Sequence, residues 1–276
     1  MPELPEVQTT IFGLNQFLPG LKIRGVWSDW KKMIKFPKSF NEFKKEVTGK
    51  KIIMAERKGK NILIHLSGNK TLLLHMKMTG FLFYGKDSGI KFKHFALSLS
   101  DGSELILSDL RKFAKILVWP TDNLAELADI NKIGPDAVDK DFSLKRFKEV
   151  LRKRPNGKIK QVLMDQNIIA GIGNIYSDEI LWCSGVHPLR KVSDIRENEF
   201  GKIYKNTHLI LKKAIKLGGD SMSDYRNIYG ERGKYQDFHK AYHREGKPCL
   251  KRGCKGRIKR IKVGGRSACF CPVCQV

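Results

Sequence analysis

The spacing of apolar residues changes near Ile133-Gly134-Pro135-Asp136, and this change constrains the fold more than any other feature. Before it, short apolar or alternating runs have the pattern of strands. After it, apolar residues recur at helical spacing. Strands gathered in one part of the chain and helices in another predict an α+β, multi-domain protein rather than alternating βα units.

Six short strand-like runs precede residue 133, and turn residues separate them. They cover 21–27, 61–66, 71–76, 92–100, 104–107 and 115–119. Asp101-Gly102, between the fourth run and the fifth, is a strong hairpin signal. Many short strands joined by tight turns predict an antiparallel sandwich or barrel.

Helical spacing occurs once before these strands and repeatedly after them. Val7, Ile11, Leu14 and Leu18 predict a helix over 5–18, which Pro19-Gly20 ends. The later helical patterns cover 144–152, 159–166, 175–183 and 197–216. Residues 219–247 lack clear periodicity, so we expect a mobile, partly structured loop there.

The charge of the chain points to a polyanionic partner. Lys and Arg total 53 against 28 acidic residues, which gives a net charge of +25. Folding needs no such excess, because self-repulsion destabilises the compact state. Nucleic acid is the first candidate and an anionic membrane surface the second. No apolar run is long enough to span a bilayer, and the first residues do not resemble a signal peptide, so we expect a soluble intracellular protein.

Five of the six cysteines lie in the last 30 residues. Cys249-x4-Cys254, then sixteen residues, then Cys271-x2-Cys274 has the pattern of a four-thiolate zinc site. All four positions are filled, so the metal would be structural. Cys269 could replace Cys271 in this set. In the reducing interior of a cell, cysteines favour metal ligation or free thiols over disulfides.

Two further motifs could bind phosphate. Basic residues surround the Gly264-Gly265 turn between the two cysteine pairs, and Arg266 directly follows it. A basic hairpin of this kind could be a phosphate-binding finger, or simply a solvated surface. Gly171-Ile172-Gly173-Asn174 opens a helix, whose N-terminal amides favour phosphate; alone, this signal is weak.

The first residues could carry covalent chemistry. Removal of Met1 would leave the secondary amine of Pro2 next to the carboxylate of Glu3. A terminal amine is largely unprotonated near neutral pH compared with lysine, and it can form a Schiff base. The alternative is that Pro2 and Pro5 only shape the start of a helix. Arg111 with Phe113 could pair a cation with an apolar wedge into a duplex, while Met78 could be a second wedge or ordinary core.

Five segments, in this order, resemble the bacterial family of formamidopyrimidine-DNA glycosylase and endonuclease VIII. They are MPELPEV, RKGK, LRKF, LMDQNIIAGIGNIYSDEILW and GRSACFCPVCQ. The resemblance covers essentially the whole chain, and the PELPE start is similar to the formamidopyrimidine branch. It implies a β-sandwich opened by one helix, then a helical domain with a helix–two-turn–helix element and a zinc ribbon.

With that resemblance, the domain boundaries are predicted as follows. We expect a catalytic β-sandwich domain at 1–132, a linker at 133–141, a helical domain with a lesion-capping loop at 142–246, and a zinc-ribbon finger at 247–276.

The resemblance also implies a role for particular residues. Pro2 matches the nucleophile, Glu3 the general acid, Lys60 the lysine of β-elimination and Arg266 the arginine of δ-elimination. The side chains implied to bind DNA are Met78, His94, Arg111, Phe113, Lys160, Asn174 and Tyr225. Met78, Arg111 and Phe113 match the residues that fill the gap left by a flipped base, and Tyr225 lies in the loop over that base. The implied ligands of one structural Zn²⁺ are Cys249, Cys254, Cys271 and Cys274.

Three departures from the family pattern are visible. The first cysteine pair is spaced x4 where x2 is usual. Phe92 stands where a phosphate-contacting histidine is usual, and Gln8 replaces a usual glutamate. The last two bear on the efficiency of the site more than on its identity.

The resemblance implies a base-excision-repair DNA glycosylase with AP lyase activity, acting on oxidised purines in duplex DNA. Its expected partner is double-stranded damaged DNA, and we expect no membrane partner. We also expect a monomer in the cytoplasm of a prokaryote, associated with the nucleoid. The alternative is a non-catalytic protein that binds damaged DNA with the same clamp. A zinc-ribbon RNA-binding factor ranks last, because the aromatic strand motifs of single-strand RNA readers are absent.

Overall fold

The computed structural model describes residues 1–86 and 89–276. The chain divides into two compact units. The first unit comprises residues 1–131 together with 217–234, and the second unit comprises residues 132–216 together with 235–276.

The first unit consists mainly of short strands, and the second unit is mostly helical. The strands are β1 (Ile23–Trp27), β2 (Ile34–Phe36), β3 (Ile52–Lys58), β4 (Asn61–Leu66), β5 (Lys70–His75), β6 (Gly80–Gly85), β7 (Lys93–Leu99), β8 (Glu104–Asp109), β9 (Lys115–Pro120), β10 (Lys259–Val263) and β11 (Arg266–Phe270). The α-helices are α1 (Leu4–Phe17), α2 (Phe40–Val47), α3 (Ala128–Asn131), α4 (Leu144–Arg152), α5 (Ile159–Met164), α6 (Asn174–Ser184) and α7 (Glu197–Lys216).

Two sheets form the first unit. One has four strands in the order β1-β7-β8-β6, and the other has five in the order β2-β9-β5-β4-β3. All neighbours are antiparallel except β2 and β9, which pair in parallel. The hairpin predicted at Asp101-Gly102 joins β7 and β8, with Phe95 opposite Leu107.

The core of the first unit lies between the sheets and explains the apolar runs. Ile62, Ile64 and Leu72 from the five-stranded sheet share one buried cluster with Leu97 and Leu107 from the other. The opposite face of the five-stranded sheet is buried as well, in a smaller cluster of Leu63, Leu73 and Leu117. Because both faces of β4 and β5 are covered, their central residues form continuous apolar runs, 62–64 and 72–74, that do not alternate.

Helix α1 packs on this core through the residues that predicted it. Val7, Ile11 and Leu14 are buried in the main cluster, together with Leu18 at the helix end. Position 13 needs glycine because Ile228 packs closely against it: a Cβ there would lie 2.6 Å from the side chain of Ile228. Residues 217–234 are therefore packed directly against the helix that begins the chain.

The second unit is helical and ends in a β-hairpin. Helix α6 is buried on nearly all sides and packs against the amphipathic helix α7. Strands β10 and β11 pair around Gly264-Gly265, whose φ values of 56° and 76° suit a tight two-residue turn. Trp182 and Ile258 pack around the cysteines at the base of this hairpin.

The α+β prediction is confirmed, with strands β1 to β9 before residue 133 and helices α4 to α7 after it; α1, α2 and α3 lie before that residue, and the hairpin of β10 and β11 lies after it. Strands β2, β3 and β6 and helices α2 and α3 were not predicted. Where the structure describes the chain, it contains no helix with both the length and the apolar character needed to cross a bilayer.

Candidate functional site

The start of the chain is buried, although it is polar. Pro2 is buried and Glu3 is only 1% exposed. Glu3 precedes the first residue of α1, and its backbone N–H donates a 2.7 Å hydrogen bond to Oε2 of Glu6 in a capping box. The reciprocal bonds fix the approach of the chain to the helix. The structure thus holds the predicted nucleophile and general acid in one rigid, enclosed place.

Glu6 connects this chain start to residues 217–234. Its Oε1 accepts a 2.7 Å hydrogen bond from the Asp220 N–H, and its backbone carbonyl accepts one of 2.9 Å from the Tyr225 hydroxyl. Gly219 has φ of 81°, and a Cβ there would lie 2.8 Å from Oε1 of Glu6. Glu6 was not among the predicted site residues, although its place three residues after Glu3 is the signal of a capping box.

Tyr225, predicted to lie over the lesion, is 3% exposed. Burial raises the pKa of its hydroxyl well above the usual value, so this group stays protonated and donates to Glu6. In the described conformation Tyr225 anchors its segment, and its side chain is not presented to solvent.

Lys60 lies in the two-residue turn between β3 and β4 and is 6% exposed. Nearby, Arg57 donates hydrogen bonds to Oε1 of Gln8 at 2.9 Å and to the carbonyl of Gly59 at 3.0 Å. The glutamine that departs from the family pattern is therefore used as a neutral acceptor.

Burial, helped by the ammonium groups of Lys77 and Lys60, lowers the pKa of His75 to about 3.

Met78, Arg111 and Phe113 are brought together by the fold. Arg111 Nη1 lies 3.1 Å from the sulfur of Met78, and its guanidinium lies 4.5 Å from the centre of the Phe113 ring. All three side chains are exposed, Phe113 by 50%. They form a small apolar surface with a cation in its middle, which we name the wedge cluster.

One buried carboxylate organises the loops that carry the wedge cluster. Asp109, fully buried, accepts hydrogen bonds from the Thr79 hydroxyl, from the Arg111 N–H at 3.3 Å and from the Ala114 N–H at 2.7 Å. Asp109 was not predicted, because nothing in the pattern around it distinguishes it from a solvated acid at a strand end.

His94 is 7% exposed, and its Nδ1 lies 2.9 Å from a carboxylate oxygen of Asp29. Within residues 1–86 and 89–276, its Nε2 has no hydrogen-bond partner. Two residues earlier Phe92 adopts φ of 58° and is 49% exposed. The aromatic ring that departs from the family pattern is thus presented to solvent, while the remaining histidine is largely enclosed.

In the second unit, a glycine-rich turn presents the start of α6. The Gln166 side chain accepts from the Gly171 N–H at 2.9 Å and donates to the Ile172 carbonyl at 2.8 Å. Asn174, the first residue of α6, has a buried Oδ1 without a hydrogen-bond partner in the described chain. A rigid turn with helix amides at its end is a suitable anion site.

Lys160 does not fit the direct DNA contact predicted for it. Its side chain is fully buried, and its ammonium group donates at 2.5 Å to Asp178 and at 2.7 Å to the Ser267 carbonyl. Asp178 also accepts a 3.0 Å hydrogen bond from the Cys269 N–H. Lys160 therefore joins α5, α6 and the hairpin, and its ion-pair partner could not be inferred from sequence.

Four cysteine sulfurs meet at the base of the hairpin. Those of Cys249, Cys254, Cys271 and Cys274 lie within 4.8 Å of one another and could hold a metal ion. Two of the separations are 3.7 Å and 3.6 Å. The cluster includes Cys271 and excludes Cys269. Of the two cysteines that the spacing allowed, Cys271 is therefore the candidate ligand. Arg266, by contrast, is exposed at the start of β11.

A β-sandwich with an enclosed chain start, and a helical unit that ends in a four-cysteine hairpin, are together the architecture of a class of DNA glycosylases. Comparison with known proteins agrees. The family description "Formamidopyrimidine-DNA glycosylase N-terminal domain" matches residues 1–116, and "Formamidopyrimidine-DNA glycosylase H2TH domain" matches residues 133–226.

Whole-length relatives extend this match. The chain is 40% identical over 277 residues to the formamidopyrimidine-DNA glycosylase of Pelotomaculum thermopropionicum, covering 100% of this chain and 99% of that protein. It is 38% identical to that of Streptococcus pneumoniae with the same coverage. The chain belongs to the formamidopyrimidine-DNA glycosylase family and is therefore an enzyme, a DNA glycosylase.

Two solved structures are similar along nearly the whole chain. The complex between Lactococcus lactis Fpg and DNA containing an abasic site is 35% identical, with a TM-score of 0.90 and 99% coverage of both chains. A variant of the same enzyme bound to DNA containing Fapy-dG has a TM-score of 0.91, with the same identity and coverage.

Proposed function

We propose that this protein is a bifunctional DNA glycosylase and AP lyase that removes oxidised purines, 8-oxoguanine and formamidopyrimidines, from duplex DNA. The enclosed chain start carries the proposal, because the buried Pro2 and the buried carboxylate of Glu3 stand at the positions of the family's nucleophile and general acid. Relatives bound to DNA with Fapy-dG or an abasic site support the choice of substrate.

In the proposed chemistry, the amine of Pro2 is the nucleophile once Met1 has been removed. Its lone pair forms a bond to C1′ of the damaged nucleotide, and the C1′–N bond to the base breaks, so that the base leaves with the electron pair and takes up the proton that the attached amine gives up. Glu3 gives a proton to O4′ as the C1′–O4′ bond breaks and the ring opens. Because the amine has lost its proton, an iminium joins Pro2 to the sugar.

The iminium then acts as an electron sink for strand cleavage. Loss of a proton from C2′ expels the 3′-phosphate, and a second elimination expels the 5′-phosphate. We assign the first step to Lys60, in the turn after β3, and the second to Arg266, exposed on the hairpin.

The remaining site residues hold the DNA. The wedge cluster would occupy the gap that the flipped nucleotide leaves, which offsets a few kcal/mol of lost stacking. Asn174 would bind phosphate at the start of α6, and His94 would contact the backbone through Nε2. Tyr225 would hold residues 217–234 near the base, while Lys160 would act indirectly by fixing the hairpin.

We assign one structural Zn²⁺ to the four-cysteine cluster. A tetrahedron with Zn–S bonds of about 2.3 Å has S–S edges of about 3.8 Å, close to the 3.7 Å and 3.6 Å found for two of the pairs. When bound, the ion supplies cross-linking and no reactive position, because all four ligands are protein thiolates. It would keep the hairpin folded so that Arg266 is presented.

The partner implied by this activity is damaged double-stranded DNA, bound by a monomer. Since the relatives are bacterial proteins, the site of action would be the chromosome in the cytoplasm. The predicted boundaries at 132, 141 and 246 belong to the same proposal, except that residues 217–234, which they assign to the helical domain, lie in the first unit.

Borohydride trapping tests the proposal. Reduction of the iminium should give a covalent protein–DNA product with 8-oxoguanine, formamidopyrimidine and abasic substrates, and mass analysis should place the adduct on Pro2. Pro2→Gly should trap poorly, and a chain that keeps Met1 should not trap at all. Full activity of a protein that retains Met1 would refute the mechanism. Binding without any trapping would favour the non-catalytic damage-binding protein.

A further inference from the structure

A groove on the first unit takes no part in the proposed reaction. It has a volume of about 340 Å³ and lies between α2 and the end of the five-stranded sheet where β2 is the edge strand. Its apolar floor is formed by Phe36, Val118 and Trp119, with Pro37 and Pro120 beside them. The two aromatic rings are 4.7 Å apart between centres, and Phe36 is 44% exposed.

Carboxylates, and not lysines, dominate the rim of this groove. Glu42 and Glu46 line it from α2, and Lys70 is the one cation of the lining. Lys70 is already paired with Glu46 at 2.6 Å. Glu42 is exposed, and the ion pairs found among the described residues do not include it. Although the protein has a net charge of +25, the carboxylates at this rim would repel the phosphates of DNA.

The combination of the exposed Phe36 ring, the half-buried Trp119 ring and a carboxylate suits a guanidinium group. Its planar cation stacks on aromatic faces, and it forms bidentate hydrogen bonds with carboxylates. The groove is larger than one guanidinium, and its floor can also cover an apolar side chain. We propose that this groove binds an arginine-bearing segment of a partner protein, with the arginine over Phe36 and Trp119 and its charge against Glu42.

The charge of the whole protein makes this proposal easy to test. A cationic peptide is repelled by most of the surface, within a screening length of about 10 Å at 0.1 M salt. Specific binding of such a peptide therefore needs a local acidic site. We choose the probe acetyl-Gly-Leu-Arg-Leu-Gly-amide and, as its counterpart, the peptide with Glu in place of Arg.

The readout is the indole N–H signal of Trp119 in the NMR spectrum. It is one of four tryptophan signals and is assigned by its loss in Trp119→Phe. We expect the arginine peptide to shift it saturably and the glutamate peptide to leave it in place. Glu42→Lys should weaken binding at least about fivefold, since it removes the charged partner and adds repulsion.

The matched control is Glu149→Lys, which makes the same charge change at an exposed position on α4. It should leave the affinity for the peptide unchanged. Glu42→Gln keeps the shape of the side chain and provides a second measurement if the charge reversal disturbs folding; it should weaken binding less than Glu42→Lys.

Three results would overturn the proposal. The first is the absence of a saturable Trp119 shift at millimolar arginine peptide. The second is equal weakening by the substitutions at Glu42 and Glu149, which would indicate a general charge effect. The third is equal affinity for spermidine, which would make the groove a site for small polycations. Base excision does not enter any of these measurements, so the outcome is independent of the proposed function.

Discussion

Arg111 and Lys60 differ in their surroundings, so we expect their substitution to impair different steps of the reaction. Arg111 is exposed between Met78 and Phe113, so Arg111→Ala should weaken lesion binding and base excision together, by about tenfold or more. Lys60 is buried in a turn, so Lys60→Ala should slow cleavage at a pre-formed abasic site about a hundredfold while much of the affinity remains.

These two variants are compared by binding to an abasic-site analogue and by single-turnover excision and cleavage. Affinities should be measured at several salt concentrations, because loss of a phosphate contact alone changes the salt dependence. Equal losses of binding, excision and cleavage in both variants would mean that Lys60 is only another phosphate contact.

His75 should make the stability of the first unit depend on pH. Its pKa is about 3 in the folded protein and 6.5 in the reference state. Between these values the unfolded chain binds a proton that the folded chain does not, so stability should fall as the pH is lowered from 6.5 towards 3. The slope from this residue is at most about 1.4 kcal/mol per pH unit.

His75→Asn tests this dependence while keeping an acceptor for the Lys77 N–H, which now donates to His75 Nδ1 at 3.0 Å. Urea unfolding at pH 7 and pH 4.5 should show a smaller difference in the variant than in the parent protein. Parallel stability curves for the two would show that another group is responsible.

At the residue scale, the grouping of neighbouring side chains could be predicted from sequence, whereas their roles on DNA stay predictions and distant partners could not be inferred. Met78, Arg111 and Phe113 were predicted as one group, and they are in contact. Lys160 was predicted to reach DNA, but Asp178 and the Ser267 carbonyl hold it inside the second unit. Long-range partners of this kind leave no local pattern.

At the scale of elements, residues 217–234 depend on glycine at a contact point. Gly219→Ala would place a Cβ 2.8 Å from Glu6 Oε1 at φ of 81°, so the segment should separate from α1. Gly230→Ala has the same backbone strain, at φ of 83°, but meets only the Phe83 ring at 3.8 Å. Left-handed strain alone costs about 1 kcal/mol.

Hydrogen exchange of the Asp220 amide, which donates to Glu6 Oε1, distinguishes these two variants. Gly219→Ala should lose protection there and slow base excision, whereas Gly230→Ala should change both only slightly. The same behaviour in both variants would assign the effect to backbone strain and not to contact with Glu6.

The hairpin should depend on metal through the four clustered cysteines. Cys274→Ser and Cys249→Ser should each abolish one bound zinc and weaken DNA binding, because metal binding and hairpin folding are one equilibrium. Cys269→Ser is the control, since its sulfur is outside the cluster, and it should retain the metal. Metal analysis that shows zinc lost in Cys269→Ser but retained in Cys271→Ser would reverse the ligand assignment.

Elements with a strong period were predictable, and short or charged ones were not. Helices at 144–152 and 197–216 have the predicted bounds, because their apolar faces are long and regular. Strand β3 was missed since Glu56, Arg57 and Lys58 interrupt its apolar pattern, and β2 was missed since it has three residues. The choice of Cys271 over Cys269 needed the fold, because both spacings allow a knuckle.

At the scale of the whole molecule, the net charge of +25 predicts strongly salt-dependent DNA binding. Replacing Lys255, Lys259 and Lys262 with serine should reduce the slope of log K against log salt by about 2.7, if each neutralises one phosphate. The matched triple at Lys35, Lys44 and Lys45 makes the same charge change on the first unit. These two sets of lysines are exposed.

Filter binding over a range of salt concentrations gives both slopes. A reduction confined to the hairpin triple would identify the hairpin as a phosphate contact. A similar reduction in both triples would mean that the long-range field, and not the hairpin, sets the salt dependence.

The placement of residues 217–234 in the first unit has a consequence for how such genes can recombine. The chain passes between its units three times, after residues 131, 216 and 234. A fragment that stops at 131 would lack Ile228, which fills the space at Gly13 and accepts the Tyr84 N–H. A chimera joined once near residue 132 would take residues 1–131 from one parent and residues 217–234 from the other. Viable exchange between relatives should therefore carry residues 217–234 together with the amino-terminal half.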